Sequence, residues 1–276
     1  MSTIATESVH DVDPFVDRDR YPLDQPDHPG YAELVDRARD QLAATGASEL
    51  DGFLTPAGLS AMVADALDLE PQAFHSGGPG TAYLGLPDES LPEDHPRRYW
   101  GDYGVGAVAY DQFPAGSPIR GLYEWPPLVQ FLTEVLGRGS IYPYADPLGA
   151  LNLATMGAGD QLQWHFDQTD FVVSLALRDA EMGGDFEVVP RIRSQDDENY
   201  DQVAALLAGD TTDLVTLPMV PGTLLIFEGR HSIHRVSPVG GTTSRLVALL
   251  GYDTKPDTMS SELLKLVRYG RSETPT

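Results

Sequence analysis

At 276 residues the chain can bury a sizeable core without covalent staples, and it contains no cysteine. That excludes thiolate zinc sites, Fe–S clusters, thiol nucleophiles and disulfide frameworks, so any metal must be held by nitrogen and oxygen. The 42 acidic and 18 basic side chains give a formal charge of −24, a field that repels a phosphate backbone and argues against nucleic acid as a partner.

Residues 1–30 are rich in Asp and Pro (DVDPFVDRDRYPLDQPDHPG) and are expected to form an acidic lead-in, extended or partly disordered. The opening MSTIATESVHDVDPF lacks the basic and apolar blocks of a signal peptide, and no window approaches the roughly 18 apolar residues of a membrane helix. The expectation is a soluble, cytoplasmic protein. Two stretches of helical spacing follow: YAELVDRARDQLAATG, closed by Gly46, and TPAGLSAMVADALDLEPQAF, opened by Thr55 as N-cap and Pro56 in the first turn. Residues 76–118 are dense in Gly, Pro and Tyr without a sustained period, and are expected to be irregular loops over the site, with the length and Gly content of a mobile lid.

From about residue 140, short runs rich in Val, Ile, Leu and Phe alternate with Gly, Pro or Asp: GALNLATM, QLQWHFD, FVVSLALR, DFEVV, LVTLPM, TLLIF, SIHRVSPV and SRLVALLGY. About eight short strands fit a jelly roll. DENYDQVAALLAGD reads as an acidic insertion with one short helix. The expected architecture is one integrated domain, mainly β with N-terminal helices. Its helical, loop-rich part at 31–139 packs on a double-stranded β-helix (jelly-roll) core at 140–276.

Within QLQWHFDQTDF, His165 and Asp167 lie two apart on a strand, hence on one face with Cα atoms roughly 6.5 to 7 Å apart. TLLIFEGRHSIHRVSPV supplies His234 on a strand that a jelly roll can bring alongside. Two imidazoles and a carboxylate on one octahedral face leave three positions open, as non-haem Fe(II) oxygenases require. A lone HxD is more often an ordinary hydrogen-bonded pair, so the weight lies on the ordered set: HFD at 165–167, GGDF at 183–186, PGTLLIF at 221–227, HRVSPV at 234–239 and Arg245 eleven residues after His234.

That set resembles the Fe(II)/2-oxoglutarate-dependent dioxygenase superfamily over residues 149–256. HFDQTDF, GGDFEVVPRIRS, DENYD and GRHSIHRVSPV are similar to a bacterial branch of small amino-acid hydroxylases and halogenases. The resemblance implies His165, Asp167 and His234 as catalytic iron ligands, with 2-oxoglutarate as co-substrate and O2 as oxidant. It also implies Arg245 as partner of the distal 2-oxoglutarate carboxylate, a role suited to a planar bidentate guanidinium. His231 is the competing imidazole, set in the turn before His234. Relatives commonly carry a tyrosine where Met156 stands, so a second co-substrate contact falls to Asn152 or Thr155. Halogenating relatives carry Gly or Ala at the position of Asp167, so the resemblance implies hydroxylation of an aliphatic C–H via an Fe(IV)-oxo intermediate, with CO2 and succinate released. Desaturation or cyclisation is the alternative outcome.

The implied substrate is a free amino acid or similar small polar metabolite, with Gln168, Asp170, Arg191 and Arg193 as candidate contacts and Arg193 with Asp170 as the pair for a zwitterion. Trp164 and Phe171 read as core. The sequence leaves a homo-oligomer open. Rival classes are a Zn-dependent hydrolase on the same ligands and a non-enzymatic jelly-roll binding module.

Overall fold

The computed structural model describes residues 15–275, so residues 1–14 of the expected lead-in lie outside the described part. From residue 15 the lead-in is packed: Val16, Tyr21 and Leu23 are buried, and Val16 bridges Leu54. Helix α1 (Pro29–Thr45) starts on a His28 cap with Pro29 in its first turn and stops at Gly46, whose φ of 74° is the left-handed conformation glycine adopts freely. After β1 (Ala47–Leu50), the Thr55 hydroxyl accepts from the Gly58 N–H at 2.9 Å to open α2 (Pro56–Leu69).

The segment expected to be irregular is not so throughout. It holds two antiparallel strands, β2 (Phe74–Thr81) and β3 (Trp100–Val108), joined by a long connection. Gly and Pro in FHSGGPGT hide the strand period, while β3 finds a partner in the main sheet that supplies its pairing. Two further helices, α3 (Pro118–Tyr123) and α4 (Pro126–Leu136), and the short β4 (Tyr142–Pro143) precede the strands read from the sequence.

Those strands are β5 (Leu151–Met156), β6 (Leu162–His165), β7 (Val172–Arg178), β8 (Phe186–Val189), β9 (Val215–Leu217), β10 (Leu224–Phe227), β11 (Ile233–Val236), β12 (Arg245–Leu250) and β13 (Tyr252–Asp253). Helix α5 (Tyr200–Leu207) fills the acidic insertion, and α6 (Glu262–Tyr269) follows the last strand. A seven-stranded sheet runs β1-β10-β7-β12-β5-β3-β2 and a four-stranded sheet β6-β11-β8-β9. The jelly-roll core thus recruits three strands from before residue 110, ahead of the boundary expected at 140.

Strand alternation divides the large sheet into two faces. Leu151, Leu153, Val173, Leu175, Leu224, Ile226, Leu246 and Ala248 pack outward onto Leu34, Leu42, Met62, Leu128 and Phe131 of the helices. Asn152, Ala154 and Met156 of β5, and Arg245, Val247 and Leu249 of β12, fall on the other face. There Ala154 and Met156 meet Val236 of the small sheet. The large sheet is therefore a rigid wall, and the chemistry lies between the sheets. Among the described residues no helix is long and apolar enough to cross a membrane.

A buried ion pair fixes the last helix. Lys265 Nζ lies 3.2 Å from Asp146 Oδ1, both groups nearly inaccessible. Burial pushes the Asp146 carboxyl up, but the Leu148 and Ser260 amides outweigh it and hold the group below the usual carboxylate range. Because the folded pKa is depressed, this contribution is complete above the unfolded value near 3.9 and is lost as pH falls through the lower folded value. Asp146→Asn should cost about 3 kcal/mol at neutral pH by stranding Lys265. Urea unfolding at pH 7 and at pH 3 checks this; an equal loss at both would contradict it.

Candidate metal centre

Strands β6 and β11 run antiparallel with His165 opposite His234, and the two imidazole centroids lie 4.2 Å apart. Asp167 comes two residues past His165, just beyond the end of β6, where its N–H donates to the Gly229 carbonyl at 3.1 Å. His165, Asp167 and His234 each offer a ligand atom, and these atoms all lie within 4.8 Å of one another. His231 stays in the turn outside this group.

The protonation pattern suits a cation. His165 Nδ1 lies 2.7 Å from the Gln163 carbonyl, and His234 Nδ1 lies 2.9 Å from that of Ser232. A carbonyl can only accept, so Nδ1 carries the proton in both rings and each Nε2 presents a lone pair. Asp167 Oδ2 is buried with no hydrogen-bond donor and lies 3.6 Å from His234 Nε2. Three acceptors converging with no proton between them are satisfied by a metal ion, and the N2O donor set is that of the facial triad. His165 keeps some surface at the mouth, yet the surrounding protein and neighbouring His234 hold its pKa down at about 4, so it is a neutral ligand at physiological pH.

Gly229 makes room for the carboxylate: a Cβ there would stand 1.7 Å from Asp167 Oδ2. Gly229→Ala should therefore displace Asp167 and weaken Fe(II) binding about 10- to 100-fold, the range seen when a metal ligand loses its positioning. Anaerobic Fe(II) titration checks this, and unchanged affinity would contradict it.

The turn that carries Gly229 is tied down by residues read from sequence as substrate contacts. Asp170 pairs with Arg138 and Arg230, Glu228 pairs with Arg138 and Arg191, and Arg230 donates to the Gln168 carbonyl. Arg191 also donates to the Leu42 and Ala43 carbonyls at the end of α1. Arg193 lies over the Phe166 ring, which packs behind β6, and its guanidinium is taken by Glu198 and the Arg230 carbonyl. Arg191 and Arg193 are thus corrected to scaffold, because their guanidiniums donate to backbone carbonyls and to Glu228 and Glu198. Gln168 and Asp170 brace the turn by the same contacts.

On the large sheet Arg245 is buried opposite Met156, and among the described residues no carboxylate lies within salt-bridge distance of it. Burial lowers its pKa to about 10, with Asp179 and Asp185 pulling the other way, so it remains a cation. Gly184 leaves space for its stem; a Cβ there would lie 3.1 Å from Arg245 Cδ. Thr155 does not join it: the hydroxyl lies on the helix side of β5 and donates to Glu70 at 2.6 Å, which corrects its reading as a co-substrate contact. Asn152 does face the interior, where its amide oxygen accepts from Arg268 of α6 at 3.3 Å. Sequence reading missed Arg268, and nothing local in LKLVRYG marks it.

With this geometry established, the family pattern described as Halogenase D matches residues 106–265, more than half of the chain. The chain belongs to the Halogenase D family. Comparison with curated proteins finds no match. Among solved structures, this Halogenase D family member is similar to a prolyl hydroxylase from Trichoplax adhaerens in complex with a hypoxia-inducible-factor peptide fragment, at 16% identity, TM-score 0.53, over 80% of this chain and 90% of that one. It is also similar to AviO1 from Streptomyces viridochromogenes Tue57, at 20% identity and TM-score 0.53 over 80% and 96% of the two chains. A third likeness is to the non-haem α-ketoglutarate-dependent carbocyclase SnoK of nogalamycin biosynthesis, at 14% identity and TM-score 0.55 over 80% and 85%. The Halogenase D family chain thus shares its fold with 2-oxoglutarate-dependent non-haem iron enzymes.

Proposed function

We propose that the protein hydroxylates an aliphatic C–H bond of a free amino acid or a similar small polar metabolite, consuming 2-oxoglutarate and O2 and releasing succinate and CO2. The observation that carries the outcome is Asp167: its carboxylate fills the third ligand position, and its orphaned Oδ2 points to where the metal belongs. The family name speaks of halogenation, but a halide would need the place that this carboxylate holds.

When bound, iron and 2-oxoglutarate supply the oxidising chemistry; the chain supplies placement. His165, Asp167 and His234 would hold the metal by one face, with the two Nδ1–H···O=C bonds fixing ring orientation. Arg245 would receive the far carboxylate of the co-substrate, the anion its buried guanidinium lacks among the described residues. Tyr144 stays protonated, pushed up to about 12 by burial and by the charges of Asp253, Asp146 and Asp167, and keeps a neutral hydroxyl in the field of the ligand carboxylate.

The test is succinate formation by anaerobically loaded protein on admission of O2 with a panel of free amino acids. Succinate that rises with one member supports the reading. A visible Fe(II)–2-oxoglutarate charge-transfer band with no stimulated turnover would keep the enzyme class and sink the substrate; absence of the band would sink both.

A further inference from the structure

Helix α6 is inverted with respect to its own sequence. Its apolar residues Leu263, Leu264, Leu266 and Val267 are exposed, while Lys265 and Tyr269 are buried and Arg268 turns inward. A helix that leaves four aliphatic side chains in water to bury cations must gain something from them. Lys265 has its partner in Asp146. Arg268 has none of that kind: among the described residues no carboxylate lies within salt-bridge distance of it, in a chain carrying 42 acidic side chains. Its Nε is buried without a hydrogen-bond acceptor. Its contacts are the long bond to Asn152 Oδ1 and the neighbouring Tyr269 hydroxyl.

The position is as informative as the missing partner. Asn152 lies on the interior face of β5, four residues from Met156, which stands opposite Arg245. At strand rise that is about 13 Å, so the two guanidiniums serve opposite ends of the same wall. Among the described residues this face thus carries two arginines without acid partners, one at the Arg245 end, suited to the co-substrate, and one at the Asn152 end.

We propose that Arg268, presented by α6 and steadied by Asn152, binds the carboxylate of the substrate. Arg268 offers guanidinium N–H donors, and Asn152, its oxygen turned to Arg268, keeps its amide NH2 as a further donor to the same carboxylate. This rests on the oxygenase reading above and narrows it to substrates with a free carboxylate; the role once given to Arg193 passes to Arg268.

The experiment is anaerobic calorimetry on full-length protein loaded with Fe(II) and 2-oxoglutarate, titrated with the proteinogenic L-amino acids and with the carboxamide of each binder. The expected result is at least one amino acid that binds and whose carboxamide binds at least about 30-fold more weakly. Arg268→Gln should weaken the acid by a similar factor and leave the carboxamide unchanged, and Arg268→Lys should recover part of the loss, which also separates charge recognition from misfolding. The charge-transfer band should persist in both variants. Equal binding of acid and carboxamide, acid binding untouched by Arg268→Gln, no binder in the panel while the band is present, or a loss of 2-oxoglutarate affinity in its place would each overturn the proposal. A native protein with no band would overturn the oxygenase reading itself, and this one with it.

Discussion

Asp167→Ala is expected to abolish substrate-stimulated succinate release and to lower Fe(II) affinity by at least about 100-fold, the upper range for losing even an indirect metal contact. The reason lies in three converging acceptors. Removing the carboxylate leaves two neutral imidazoles, one with its pKa held near 4, to hold a divalent ion without any compensating negative charge. The folded state should survive, because Asp167 Oδ2 makes no hydrogen bond whose loss would strand a donor. Circular dichroism and Fe(II) titration on the same sample separate the effects. A variant that turns over normally would show that His165 and His234 suffice and that the carboxylate is not a ligand.

The second large effect concerns Arg245. Arg245→Met is expected to raise the Kd for 2-oxoglutarate by about 100-fold, as truncating one side of a buried charged pair costs 2–5 kcal/mol. Fe(II) affinity should not change. Without co-substrate the same variant should be no less stable than the native chain, because the guanidinium it removes is buried with no carboxylate in salt-bridge contact among the described residues. Native protein should gain about 2.7 kcal/mol at a co-substrate concentration of 100 Kd, and the variant almost nothing at that concentration. Melting curves with and without 2-oxoglutarate read both statements. A strongly destabilised variant in the absence of co-substrate would mean that Arg245 is a structural cation.

The difference between what the sequence showed and what it hid follows from the range of the signals. His165, Asp167 and His234 were legible because strand alternation and short motifs act over a few residues, and β5 to β12 carry hydrophobic runs that packing reinforces. Strands β2 and β3 were not, since Gly77, Gly78, Gly80, Gly101, Gly104 and Gly106 replace the side chains whose period would have shown them. Arg191 and Arg193 sit beside a motif and attract a functional reading, yet where their guanidiniums go depends on α1 and on Glu198. Arg268 was hidden for the opposite reason: the periodicity of α6 turns its leucines toward a core, and tertiary structure buries the polar side instead, through the Lys265–Asp146 pair. The second carboxylate recognition site is thus a property of topology rather than of local pattern.

The measurement that bears most directly on the central claim is mass analysis of the product formed from a stimulating amino acid with Fe(II), 2-oxoglutarate and O2 in a chloride-rich buffer. The account predicts a product that has gained one oxygen atom, with succinate in equal amount and no chlorinated species, because Asp167 holds the position a halide would take. A product in which chlorine replaces hydrogen would contradict it.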